Sequence, residues 1–286
     1  MHHTDTWAKR IDDLAKVPKI FRSFLPAEDA GAMLYAIFAP AGRWGFRKVH
    51  PKLLYLHDGC LSFLALDREG VTERRFPIAE ITCVEVGRIL LHAWLKISGI
   101  IEGRTAAVQM EFNSVVEDLF RPVVEMIRIV AAGIPSAGDE TLPLERRKFD
   151  ALSAGSYKYA NFAKLSILPG EQVLDSVFEP GLRQKRLLGL RAAVPAHLAI
   201  LTDRELITIG DDCPRGVREC YGGIWSYIPL RKVEELSVAG EAGGVLSLSV
   251  RLQGGESLTS VFSETNRSGL RRLQETFAAQ RAKKAG

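Results

Sequence analysis

Twice in this chain the apolar positions step first by three and then by two. The first stretch reads Phe76-Pro-Ile-Ala-Glu-Ile-Thr-Cys-Val-Glu-Val86 and the second Ile228-Pro-Leu-Arg-Lys-Val-Glu-Glu-Leu-Ser-Val238. Pro77 and Pro229 stand 152 positions apart, and Ile78/Leu230, Ile81/Val233, Val84/Leu236 and Val86/Val238 keep that offset. A step of three suits one tight turn, and a step of two suits a strand with one buried face. Proline withdraws an N–H from the ladder where the turn begins. Each copy therefore reads as a strand end, a short turn and a new strand.

The pattern on either side of these stretches also repeats. At the N-terminus, Trp7, Ile11 and Leu14 at helical spacing predict a short amphipathic helix ended near Pro18. The apolar run Ile20–Leu25, which includes Arg22, is assigned to a core before a membrane surface. The first half then predicts a strand from Met33 to Pro40, a loop over 41–51 and a strand over Leu53–Leu56. Asp58-Gly59 is a hairpin turn, and Leu61–Leu66 is the returning strand. Asp67–Arg75 reads as a charged connection. After the duplicated stretch come one long strand, Arg88–Ile101, a turn at Glu102-Gly103 and a return over Arg104–Phe112. Ser114-Val-Val-Glu117 fits a capping box. It opens a helix with Val116, Leu119, Phe120, Val123, Ile127 and Val130 on one face, which Pro122 kinks or delays.

The second half keeps the order. It predicts a strand over Glu171–Phe178, a loop over 181–195, and a hairpin of Leu198–Leu201 and Leu206–Ile209 turned by Asp203-Arg204, with the Asp203 side chain shaping the turn. A longer loop follows within 211–223. Leu246, Leu248, Val250 and Leu252 alternate with polar residues as a half-buried strand. Gly254-Gly255 turns the chain into Leu258–Phe262, and Leu270, Leu273 and Phe277 mark one face of a final helix. Between the halves, Gly133, Pro135, Gly138 and Pro143 break the pattern. Residues 133–169 read as a linker with a short helix over Glu145–Leu152, and Tyr157, Tyr159 and Phe162 imply that it packs against a domain.

The fold class is thus mostly β, with several antiparallel strands and one C-terminal amphipathic helix per half. The divisions are 1–30, an N-terminal helix and lead-in; 31–132; the linker 133–169; and 170–286. The order Leu198-Ala-Ile-Leu-Thr-Asp-Arg-Glu-Leu-Ile-Thr-Ile-Gly210, followed by Ile228–Val238, resembles the bacterial pleckstrin-homology-like (PH-like) domains. The first half, from about Met33 to Ala132, shares the order with a weaker match, and the two together cover roughly three-quarters of the chain. The resemblance implies two tandem, partly open barrels, each plugged by its C-terminal helix. It also draws attention to the loop between the first two strands, which in eukaryotic relatives supplies cations for lipid head groups. Here that loop carries Arg43, Trp44, Arg47 and Lys48 in one copy, and Arg183, Lys185, Arg186 and Arg191 in the other. Rings beside cations suit an anionic lipid surface. The sequence lacks the full eukaryotic lysine–arginine lipid signature.

The 286 residues, 47% hydrophobic and 25% charged, fit about two ordinary cores. The net charge of +4 permits attraction to anions without demanding it, and the bases are interleaved with acids, so nucleic acid is not expected. Cys60, Cys83, Cys213 and Cys220 form no CxxC pair and read as free thiols of a reducing cytoplasm. No signal pattern opens the chain. Phosphate-loop, GxSxG and HExxH motifs are absent. His92 and His197 fall in predicted strands without partners, and Asp211-Asp212 is an exposed acidic pair. No cofactor or metal is expected. The 88–101 run is apolar on both faces, so something covers it, the other half or the N-terminal helix before a second chain. Three functions follow as expectations. The first is a non-enzymatic binding or scaffolding protein with a protein partner. The second is a peripheral membrane adaptor using the loops 41–51 and 181–195. The third is an enzyme with an unrecognised site in the groove between the halves.

Overall fold

The computed structural model describes residues 7–25, 35–44, 47–135, 140–186, 189–211, 222–241 and 244–285. The chain divides into two compact units, Met1–Ala131 and Ala132–Gly286. It is mostly β, and the described strands form several sheets, none of them closed.

The first unit opens with β1 (Lys9–Ile11), a 3-10 turn at Leu14–Lys16 and α1 (Lys19–Arg22). The helix expected over Trp7–Val17 is therefore replaced by an edge strand and a turn. Ile11 pairs with Ala36 in the ladder. The Asp13 carboxylate accepts the Ala15 N–H at 2.8 Å, tightening the turn. Pro18 is the N-cap of α1 instead of the stop of a helix, because its missing N–H is not needed there and its carbonyl accepts the Phe21 N–H at 2.9 Å. Phe21 is fully buried with Ile11, Val17, Ala36, Leu53, Tyr55 and Leu64, and Phe24 and Leu25 pack on that cluster. The Ile20–Leu25 run thus contributes to a core.

Next come β2 (Tyr35–Ala39), β3 (Gly42–Trp44), β4 (Arg47–Val49), β5 (Lys52–His57), β6 (Cys60–Leu66) and β7 (Val71–Pro77). They form the sheet β1-β2-β5-β6-β7, with β3 and β4 as a separate hairpin. The Asp58-Gly59 turn has φ of +49° and +67°, the left-handed pair that a two-residue hairpin needs. The charged connection expected over 67–75 is mostly strand. Only 67–70 turn, held by Asp67 Oδ1 accepting the N–H groups of Glu69 and Gly70. Residues 72–75 of β7 are all exposed, which hides a strand whose polar composition suits a sheet edge. After Pro77 a 3-10 turn, Ile78–Glu80, leads to β8 (Ile81–Ile89), β9 (His92–Ile101) and β10 (Arg104–Asn113), paired consecutively and antiparallel. The long strand expected over 88–101 is a hairpin that turns at Leu90-Leu91. Within β9 both faces are buried, Ala93, Leu95 and Ile97 on one and Trp94 and Ser98 on the other, as the expected cover requires, and only the tip leucines are exposed.

Helix α2 (Arg121–Ala132) begins late, with Pro122 in its first turn. The capping box does not form. Asn113 Oδ1 accepts the Val115 N–H, the Ser114 hydroxyl donates to Leu90 O, and Glu117 pairs with Arg88. Phe120, Val123, Val124, Ile127 and Ala131 are buried, and Phe120 stacks on Phe112 at 3.7 Å, but Val130 is exposed.

In the second unit, α3 (Leu142–Arg147), a 3-10 turn at Ala151–Ala154 and α4 (Tyr157–Ser166) occupy the segment assigned as a linker. The short helix begins at Leu142, ahead of the expected Glu145, because Pro143 fits its first turn. The Ser156 hydroxyl caps α4, and Tyr159, Ala160 and Ala163 are buried. Strands β11 (Val173–Glu179), β12 (Leu182–Arg186), β13 (Gly189–Val194), β14 (His197–Thr202), β15 (Glu205–Gly210) and β16 (Gly222–Pro229) follow. Here β16, β15, β14 and β11 pair in that order, and β12 and β13 form a hairpin. All six residues of β14 are buried, as expected of a central strand. The Thr202 hydroxyl shapes the β14–β15 turn by accepting the N–H groups of Arg204 and Glu205. Asp203, expected in that role, instead accepts the Gln172 N–H and holds the start of β11. A 3-10 turn at Leu230–Lys232 leads to the meander β17 (Val233–Glu241), β18 (Val245–Leu252) and β19 (Ser257–Ser263), then to α5 (Arg267–Ala285). Leu270, Leu273 and Phe277 are buried, and α5 packs on β11 and β17.

The duplicated stretch folds the same way twice. Pro77 has φ −57° and ψ 125°, and Pro229 has φ −58° and ψ 126°. Ile78 N–H donates to Gly59 O at 3.0 Å, and Leu230 N–H donates to Arg204 O at 2.8 Å. The ladder shifts register between Ile81 and Cys83 in one copy and between Val233 and Glu235 in the other. The corner and the bulge beyond it recur at the 152-residue offset, and the hydrogen bond that ties the corner to the preceding hairpin recurs with its donors 152 and its acceptors 145 positions apart.

Candidate binding surface

The two basic loops are β-hairpins, each inserted between the first two long strands of its unit. In the first, Arg43 pairs with Lys48 and Trp44 with Arg47. Arg43 and Lys48 are exposed and lie directly opposite one another. Like charges in that position repel. In the second hairpin Arg183 pairs with Ala192 after a register shift, Gln184 with Arg191, Lys185 with Leu190, and Arg186 with Gly189. The backbone thus gathers four candidate cations on one hairpin and three cations plus Trp44 on the other. The side chains of Trp44, Arg47, Arg183, Lys185, Arg186 and Arg191 lie outside the described residues.

Each hairpin returns to its unit at a basic residue, Lys52 or His197, 145 positions apart. Lys52 Nζ donates to Gln109 O at 2.7 Å and lies 3.9 Å from Glu111 Oε2. His197 sits opposite Glu179 in the ladder, with Nδ1 2.9 Å from Pro195 O and its ring edge-on to Phe262. Burial pushes the His197 imidazole down, against the Pro195 carbonyl and the Glu179 charge.

Glu179 is the anchor of the second hairpin. It is fully buried. Its Oε2 accepts the Ser263 N–H at 2.6 Å, the Ser263 hydroxyl at 2.7 Å and Asn266 Nδ2 at 3.0 Å. Its Oε1 accepts the Gly181 N–H at 3.2 Å. Burial alone would push this carboxyl up, but the donors from Ser263, Asn266 and Gly181 outweigh it and hold it below the usual carboxylate range. One side chain therefore ties the end of β11 and the root of β12 to the β19–α5 junction. In the first unit the residue opposite Lys52 is Ala39, so this anchor has no counterpart there.

The other candidate groups are tied into structure. Tyr159 OH donates to Ala196 O, and burial together with Asp211 pushes the phenol up. Asp211 accepts Lys158 Nζ at 2.6 Å, and Asp212 lies outside the described residues. His92 opens β9, and its ring lies 5.4 Å from that of Trp94. Trp94 Nε1 donates to Glu85 Oε1 at 2.8 Å, and its ring covers Gly87, where a Cβ would come within 2.0 Å of ring carbon. Cys60 and Cys83 are in no disulfide; Cys213 and Cys220 are outside the described residues. Among the described residues no group of His, Cys, Asp or Glu is placed to hold a metal ion, and no helix is long and apolar enough to cross a membrane.

The features missed in the sequence are Glu179, whose partners lie far along the chain, and the β8–β9 tip. Leu90 and Leu91 carry none of the usual turn residues. The repeat itself held the signal, because at the 152-residue offset their counterparts are Ala242 and Gly243, followed by Gly244.

Searches against family models and against curated proteins find no match for this chain.

Proposed function

We propose that the chain is a non-enzymatic binding protein made of two tandem pleckstrin-homology-like units, each a partly open barrel capped by its own helix, and that it holds a protein partner. The observation that carries this reading is the repeated element order. Each unit has four long strands with a hairpin after the first, then the proline corner, three more strands and a closing helix. That order agrees with the resemblance of residues 198–238. The fold alone names no ligand, since folds of this type host many roles. The described buried carboxylates support a scaffold reading. Glu179 and Glu171 spend their oxygens on Ser263, Asn266, Gly181, Leu168 and Thr202, which fastens elements together. Partner contacts then fall to the hairpins and sheet edges.

A second reading, an anionic lipid surface, is favoured by the Arg43–Lys48 pair, whose repulsion an anion would relieve. Photo-crosslinking from positions 43 and 48 in the native host tests both. A discrete protein adduct, formed from position 43 and lost with Lys48→Glu, and formed from position 48 and lost with Arg43→Glu, is the expected result. Salt-sensitive flotation on anionic vesicles without any adduct would replace the first reading with the second. A chain that gives no adduct and does not float on anionic vesicles would overturn both.

A further inference from the structure

The β8–β9 hairpin ends in two leucines that point into solvent. Leu90 is 68% exposed and Leu91 59%, and Val115 beside them is 59% exposed. Leu90 has a φ of +53°, a left-handed conformation in which a leucine side chain is strained. The turn is nevertheless fixed. Ser114 N–H donates to Leu91 O at 3.0 Å, and the Ser114 hydroxyl donates to Leu90 O at 2.8 Å. An apolar apex is thus held outward by the hydrogen bonds of its own turn, with its two carbonyls already bonded.

We propose that this tip is a shallow insertion element for a lipid bilayer surface, acting through alkyl side chains instead of charge. It goes beyond the protein-binding reading and is distinct from the basic hairpins. Three observations select lipid over another protein. First, three partly exposed aliphatic side chains fall far short of the ~800 Å² per partner of a stable interface. Second, it carries no Trp, Tyr or Arg, the residues that dominate protein hot spots, where Leu and Val are under-represented. Third, the bonded carbonyls lower the cost of taking backbone into an apolar medium.

Charge at the neck of the tip is balanced. Arg88 pairs with Glu117 at 2.9 Å and Arg121 with Asp118 at 2.7 Å. Attraction through the tip is therefore apolar and nearly indifferent to salt. It has fewer apolar carbons than a single myristoyl chain, so it gives weak, reversible partition. The second copy has Ala242 and Gly243 at these positions, so the device belongs to the first unit alone.

Flotation of the full chain with pure phosphatidylcholine vesicles, at low and high salt, tests the proposal. Leu90→Asn combined with Leu91→Ser is the variant of choice, because asparagine tolerates the left-handed turn and both side chains are exposed. The expected result is partition of the wild type that salt does not remove, and a loss of about tenfold or more in the variant at an unchanged melting temperature. Equal partition of the two proteins, or none by the wild type, would overturn it. Binding seen only with anionic vesicles and released by salt would assign the contact to the basic hairpins. A concentration-dependent dimer that the variant abolishes would assign the tip to a second copy of the chain. Either of these last results also removes the lipid proposal, without bearing on the protein-binding reading tested at positions 43 and 48.

Discussion

Replacing Glu179 by glutamine tests the anchor of the second hairpin. The wild-type carboxylate accepts four hydrogen bonds while fully buried. Bonds to a charged acceptor contribute about 1.5–3 kcal/mol each, and neutral ones about 1 kcal/mol. Glutamine keeps one oxygen for Ser263 and Asn266 but turns an NH₂ toward the Gly181 N–H, so one bond is lost and three are weakened. The expected cost is about 3 kcal/mol, and Glu179→Ala, which removes the acceptor of all four donors and leaves the Ser263 hydroxyl only Thr265 and Asn266 Nδ2 only Phe178 O, costs about 4 kcal/mol or more. Hydrogen-exchange mass spectrometry on peptides from β14 and β15 reports the opening free energy of this unit without assuming that the whole chain unfolds in one step. The pH dependence has a definite sign. The folded carboxyl is held low, so its stabilisation is complete above the unfolded value of about 4.3 and is lost as pH falls through the folded value. The glutamine variant should lack that acid-induced loss. A cost within about 0.5 kcal/mol at neutral pH, with an acid profile matching the wild type, would refute the anchor, since that is the scale of ordinary surface substitutions.

Three further outcomes are expected. Gly87→Ala forces the Trp94 ring from its place over the β8 backbone, so it should cost about 1–3 kcal/mol and shift tryptophan emission; an unchanged melting temperature would contradict the close packing. His197 is favoured neutral by burial, so its stabilisation is complete above the unfolded value of about 6.5 and fades as pH falls through the lower folded value; His197→Leu should flatten that part of the melting-temperature profile, and an unaltered slope would count against it. Tyr159→Phe removes the hydroxyl that reaches Ala196 O and should cost about 1 kcal/mol in urea unfolding, whereas no cost would mean that water replaces the bond.

Much of the architecture was legible because the chain repeats itself. The proline corner, the alternating strand Leu246–Leu252 and the turns at Asp58-Gly59, Glu102-Gly103 and Gly254-Gly255 each carry a local signal that agrees with the fold. Two kinds of element escaped. Tertiary context overrode local pattern where Trp7, Ile11 and Leu14 suggested a helix, since Ile11 gains more by joining the sheet beside Ala36. Turn chemistry was hidden where Leu90 adopts a left-handed conformation without glycine, and where Thr202 does the work expected of Asp203. Of the candidate surface, the basic hairpins could be named from charge alone. Glu179 could not, because its significance lies in partners 84 and 87 residues away.

The central claim is that one strand–corner–strand unit is used twice. Amide exchange at Ile78 and Leu230, measured by NMR on the full chain, tests it most directly. The corner hydrogen bonds to Gly59 O and Arg204 O predict that both amides exchange slowly and to a similar degree. Slow exchange at one amide and solvent-like exchange at the other would contradict the account.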